Sequence, residues 1–98
     1  MIIHTATHEE VLAVLNNIKD LPTPVSDWLV EVGTDWINEP AVKVWVILER
    51  DDVEFDATFI VRTLVQDSVM ALMGPAYYVY VRFRTASEMA ELAAPSKN

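Results

Sequence analysis

The stretch Ala41-Val42-Lys43-Val44-Trp45-Val46-Ile47-Leu48-Glu49 decides the fold. Val42, Val44, Val46 and Leu48 alternate with Lys43, Trp45, Ile47 and Glu49. This is the two-residue period of a β-strand with one fully apolar face. Before it, Thr34 to Pro40 is a polar turn segment with Asp35, Asn38 and Glu39. Ser26 to Gly33 precedes that turn and alternates in the same way, Trp28, Val30 and Val32 against Asp27, Leu29 and Glu31. A connection of about seven residues between neighbouring strands predicts an antiparallel pair.

Further toward the N-terminus, Thr7-His8-Glu9-Glu10 has the form of a capping box. Val11, Val14, Leu15 and Ile18 follow at helical spacing, so a helix is expected from His8 to Lys19, stopped by Pro22 and Pro24. On the other side, Glu49 to Asp56 holds five acids in eight residues. Asp56 is expected to cap a long helix from Ala57 to Met73, built on Ile60, Val61, Leu64, Val65, Leu72 and Met73 and widened by Phe59 and Val69. Gly74-Pro75 ends it. Tyr77 to Arg84 reads as a third strand, with Tyr77, Val79, Val81 and Phe83 against Tyr78, Tyr80, Arg82 and Arg84. A second capping box, Thr85-Ala86-Ser87-Glu88, opens a short last helix, and residues 95–98 are expected to fray. The order is α-β-β-α-β-α. The expected architecture is one α+β domain over residues 1–98, with a single three-stranded, mainly antiparallel sheet and helices packed on one face. Whether the third strand lies beside the first or the second is left open.

Composition limits the function. The chain has 98 residues, 52% hydrophobic and 22% charged, which is globular and not disordered. It has no cysteine, which excludes disulfides, thiolate metal sites and cysteine nucleophiles. Fifteen acids against seven bases give a net charge of −8, which argues against nucleic acid as a partner. The N-terminal residues lack a basic, apolar leader pattern, and apolar runs such as Val44 to Leu48 are far too short to span a bilayer. A cytoplasmic, bacterial-type protein that does not engage membranes is expected. The apolar fraction is high for so small a chain, so some apolar surface should stay exposed and mark association.

Sorting strand residues by face leaves an open sheet face. It carries Leu29, Glu31, Lys43, Trp45, Ile47, Tyr78, Tyr80, Arg82 and Arg84. Aromatic and arginine side chains together are the composition of interface cores. They also serve as ordinary cross-strand pairs, with Glu31 or Glu49 beside a base and Tyr on Trp. Base stacking on such a face is opposed by the shortage of cations. Trp45, Tyr78, Tyr80, Arg82 and Arg84 are the candidate binding residues. Asp51, Asp52, Glu54 and Asp56 are candidates for steering a basic partner. Trp36, directly after a strand, is expected to be buried, with a loop contact as the alternative.

No enzyme signature survives inspection. His4 and His8 lack a third ligand, so no metal and no cofactor is expected. The acids from Glu49 to Asp56 lack the central glycine and terminal glutamate of a calcium loop. Asp27, Glu31 and Asp35 read as a solvated strand edge and turn. No serine lies in a nucleophile elbow, and two glycines cannot build a phosphate loop.

Two motifs carry a resemblance. Val32-Gly33-Thr34-Asp35-Trp36-Ile37-Asn38-Glu39-Pro40-Ala41-Val42 with Trp45-Val46-Ile47-Leu48 is one. Tyr80-Val81-Arg82-Phe83-Arg84-Thr85-Ala86-Ser87-Glu88 with Glu91-Leu92 is the other. Both resemble small bacterial α+β proteins of unassigned function. The resemblance implies the fold, assigns no catalytic residue, and ranks toxin–antitoxin-like modules among the contexts. The expectation is a small acidic non-enzymatic protein-binding domain that forms a homodimer or binds a basic partner through its open sheet face. An antitoxin-like regulator of a toxin or nuclease is one alternative. A small hydrolase using Asp35, Glu39 or Glu31 near Arg82 is another.

Overall fold

A computed structural model describes residues 8–93. Its elements are α1 (His8–Asn16), β1 (Val25–Thr34), β2 (Pro40–Leu48), α2 (Phe55–Met73), β3 (Tyr78–Thr85) and α3 (Ala86–Ala93). The α+β class and the element order are those the periodicities predict. Thr7, His4 and the tail from Pro95 lie outside the described residues.

The three strands form one open sheet in the order β1-β2-β3. β1 and β2 are antiparallel, from Thr34↔Pro40 to Val25↔Leu48, with an irregularity between Val25 and Asp27. β3 lies beside β2 and runs parallel to it, from Ala41↔Tyr78 to Leu48↔Thr85. The sheet is therefore mixed, where a mainly antiparallel one was expected. The reason is the return path. Nineteen helical residues in α2 span about 28 Å, and nine residues of β2 span about 30 Å. The helix carries the chain back along the whole strand, so β3 starts beside the start of β2.

The buried face is the one the alternation selects. Trp28, Val42, Val44, Val46, Leu48 and Val81 form the sheet side of the core, with Val30, Val32, Val79 and Phe83 partly buried beside them. Val11 and Leu15 of α1 and Val61, Val65 and Val69 of α2 close it from above. Each such aliphatic side chain contributes about 1.5–3 kcal/mol by leaving water. α3 packs against β3 and β2.

The element ends depart from expectation in small, explicable ways. α1 stops at Asn16 and not at Lys19. Asn17 Nδ2 donates to the Ala13 carbonyl at 2.8 Å, and Asp20 turns left-handed at φ 62°. α2 starts two residues early. Its N-cap is Glu54, which makes no side-chain cap bond, so Asp56 lies inside the first turn and is not the cap. There its charge still favours the helix dipole. Gly74 ends α2 at φ 87°, donating its N–H to the Met70 carbonyl at 2.9 Å. The capping box of α3 is formed in both directions: Thr85 N–H donates to Glu88 Oε1 at 3.0 Å, and Glu88 N–H donates to Thr85 Oγ1 at 3.1 Å.

Among the described residues no helix is long and apolar enough to cross a membrane.

Candidate interaction surface

The register sets the open face in rows across the three strands. Leu29, Trp45 and Arg82 make one row; Glu31, Lys43 and Tyr80 the next; Gly33, Ala41 and Tyr78 the third. Trp45 is thus centred between an aliphatic and an arginine. The Arg84 guanidinium lies over its ring, 4.6 Å from the centroid, a cation–π contact. Tyr78 and Tyr80 follow with ring centroids 6.4 Å apart. Lys43 Nζ donates to Glu31 Oε1 at 3.4 Å, one of the cross-strand pairs that the sequence suggests. That pair is solvent-exposed and contributes little to stability.

The β1–β2 turn brings two more groups to this face. Asp35 N–H donates to the Glu39 carbonyl at 2.9 Å and closes the loop, with Asn38 left-handed at φ 62°. The Asp35 carboxylate accepts from the amides of Ile37 and Glu39 through Oδ1, both at 3.0 Å. Its Oδ2 accepts from the Tyr80 hydroxyl at 3.0 Å. Asp35 is buried, which corrects the solvated reading. Burial alone would raise its pKa. The amides of Glu39 and Ile37, the Tyr80 hydroxyl and the Lys43 charge outweigh that and hold it below the ordinary carboxylate value. The Tyr80 phenol is pushed the other way, first by burial and then by its bond to the Asp35 anion.

The same loop lifts Trp36 onto the surface. It is 77% exposed, not buried, and its ring centroid lies 5.7 Å from that of Tyr80. A hollow of about 210 Å³ is lined by Trp36, Lys43, Val44, Trp45, Tyr80 and Arg82. A second, wider groove of about 710 Å³ runs along the outer edge of β3, past Trp45, Arg82 and Arg84 on one flank and Arg62 and Gln66 on the other. Arg62 Nη1 donates to the Val81 carbonyl at 2.9 Å, and its guanidinium lies 5.3 Å from the Phe83 ring centroid.

Of the five expected binding residues, Trp45, Tyr80, Arg82 and Arg84 meet at these hollows. Tyr78 joins them only through the Tyr80 ring. The acidic residues lie elsewhere. Asp52 is bidentate with Arg50, at 3.0 and 2.9 Å, and Asp51 accepts from Ser87 Oγ at 3.1 Å. Glu54 and Asp56 are exposed. Exposed apolar side chains also line α2, at Phe55, Phe59, Ile60 and Met70. Sequence reasoning missed Arg62 as part of the surface, placed Lys43 on the open face without counting it among the binding residues, and misplaced Trp36. An aspartate closing a strand before a turn was the available signal for Asp35. No local signal existed for Arg62, which reaches its carbonyl across 19 positions of sequence.

Among the described residues no three His, Asp or Glu side chains are grouped to hold a metal ion. Both oxygens of Asp35 are hydrogen-bonded within the protein, to the Ile37 and Glu39 amides and the Tyr80 hydroxyl. No family model, curated protein or solved structure matches this chain.

Proposed function

We propose that this protein is a non-enzymatic binding domain that docks a partner protein on its open sheet face. The observation that carries this reading is the hollow bounded by Trp36, Trp45, Tyr80, Lys43 and Arg82. Tryptophan, tyrosine and arginine dominate the energetic centres of protein interfaces, because each covers a large area with few rotatable bonds and a polar end. The Asp35–Tyr80 bond and the Arg84–Trp45 stack fix two of these side chains before a partner arrives, which lowers the entropy lost on docking.

The test is a paired measurement on the intact chain and on Trp36→Ala and Trp45→Ala variants. Light scattering over a concentration series reads self-association. Affinity capture from the native cytosol, with the chain immobilised, reads a different partner. The reading expects at least about a tenfold loss of association in both variants with unchanged circular dichroism. Association that survives both substitutions would refute it.

A further inference from the structure

The sheet ends on both sides in strands whose outer backbone groups face away from β2, and the two edges are not alike. Within a strand, the N–H and C=O of one residue point to the same edge, and the next residue's point to the other. The Val81 carbonyl is taken by Arg62 from outside the sheet. The backbone groups of Val79, Val81 and Phe83 therefore face outward along β3. Such a row is a template for another strand.

Charge selects what that strand is. Arg62, Arg82 and Arg84, three of the four arginines in the chain, line the groove along β3. The one acid lining it, Glu88, already accepts from Thr85 N–H through Oε1. A second copy is disfavoured at either of its edges. Its own β3 would bring a like set of arginines against the first. Its β1 carries Asp27 and Glu31 but is blunted: the register breaks between Val25 and Asp27, and Asp27 Oδ1 accepts from the Trp28 amide.

From these observations we propose that the outer edge of β3 binds an extended acidic segment of a partner protein as a fourth strand. The inference rests on the reading of this protein as a binding domain and names the partner's chemistry. Main-chain bonds to Val79 and Phe83 supply the pairing. Carboxylates on one side of the incoming strand meet Arg82 and Arg84, and those on the other meet Arg62. A carboxylate beside Arg62 also offers it a charged partner in place of the Val81 carbonyl, which frees that carbonyl for the ladder. The overall charge of −8 acts at long range and is screened beyond about 8 Å at physiological salt, so the local arginines decide the contact.

The test uses a short synthetic peptide in which pairs of glutamates alternate with pairs of valines, so that both sides of the strand carry carboxylates, and a control with lysines in place of the glutamates. Binding to the full chain is followed by titration calorimetry and backbone amide shifts. The acidic peptide is expected to bind, with the largest shifts at Val79, Val81 and Phe83, and about tenfold or more tighter than the lysine peptide. Val79→Pro removes an outward donor and leaves the β2 ladder intact; it should abolish binding. Arg82→Glu with Arg62→Glu should weaken binding by a similar factor in a variant whose edge backbone is unchanged. Ile37→Ala, exposed in the β1–β2 turn and lining neither hollow, should leave peptide binding unchanged. No binding of the acidic peptide, or equal binding of both peptides, overturns the inference. Binding lost in Trp36→Ala but kept in Val79→Pro overturns the edge assignment while the open-face reading stands. Concentration-dependent dimers that protect β3 amides would replace the acidic partner with a second copy.

Discussion

Val65 and Ile60 lie on the same helix and provide a test of how α2 sits on the sheet. Val65 is 0% exposed and Ile60 is 46% exposed. Val65→Ala deletes two methyl groups, worth about 1.6 kcal/mol at ~0.8 kcal/mol each. The cavity left beneath a fully buried position adds to that loss. Alanine is the better helix former and returns about 0.5 kcal/mol. The net destabilisation is about 1.5–2.5 kcal/mol, which for a domain of this size lowers the melting temperature by about 10 °C. Ile60→Ala loses less burial and gains a similar propensity, so it should cost under about 1 kcal/mol. Urea unfolding followed by tryptophan fluorescence, with the slope held common, reads both values. A Val65→Ala chain within about 0.5 kcal/mol of the parent, or an Ile60→Ala chain equally damaged, would refute the packing. The parallel β2–β3 crossover depends on that packing and would fall with it.

Three further outcomes are expected. Thr85→Ala removes the Oγ1 that accepts from the Glu88 N–H and leaves the Thr85 N–H bond to Glu88 Oε1 in place; it should cost about 1 kcal/mol, visible as faster amide exchange at Glu88. Asp35→Asn should flatten the acid limb of the stability curve. The folded pKa of Asp35 is held below its ordinary value of 3.8, so its contribution is present above that pH and is lost as pH falls through the folded value. The difference between the two chains, measured by urea midpoints from neutral pH downward, isolates this residue, and parallel curves would refute it. Gly74→Ala meets open space but must adopt φ 87°, a backbone region costing about 1–3 kcal/mol outside glycine; calorimetric melting checks it.

The faces of the strands were legible in the sequence because alternation is a local property. Val42, Val44, Val46 and Leu48 alternate over one short run, and the fold buries all four. The neighbour of β3 was not legible. Periodicity says which way Val81 points and nothing about which strand lies beside it, and that depends on where α2 delivers the chain. At the candidate surface, Trp45, Arg82 and Arg84 were found because they share a strand parity. Trp36 was misread since a loop of left-handed and hydrogen-bonded turn residues, not the strand before it, sets its direction. Arg62 was missed because its role lies in a backbone edge that exists only after β3 has docked.

The position of β2 between two kinds of neighbour also sets an order of assembly. Its antiparallel partner is joined by the short Asp35–Glu39 loop, and such hairpins close in about 1–10 μs. Its parallel partner lies some 37 residues further along the chain, Tyr78 against Ala41. At synthesis rates of about 5–20 residues per second, that is a gap of roughly 2–7 s on the ribosome. During that interval the hairpin exists with the other edge of β2 unpaired, and its apolar face is covered only as α2 emerges. Sheet completion is thus paced by translation and not by diffusion. A ribosomal pause between α2 and β3 would prolong the interval in which β2 can pair with the wrong strand.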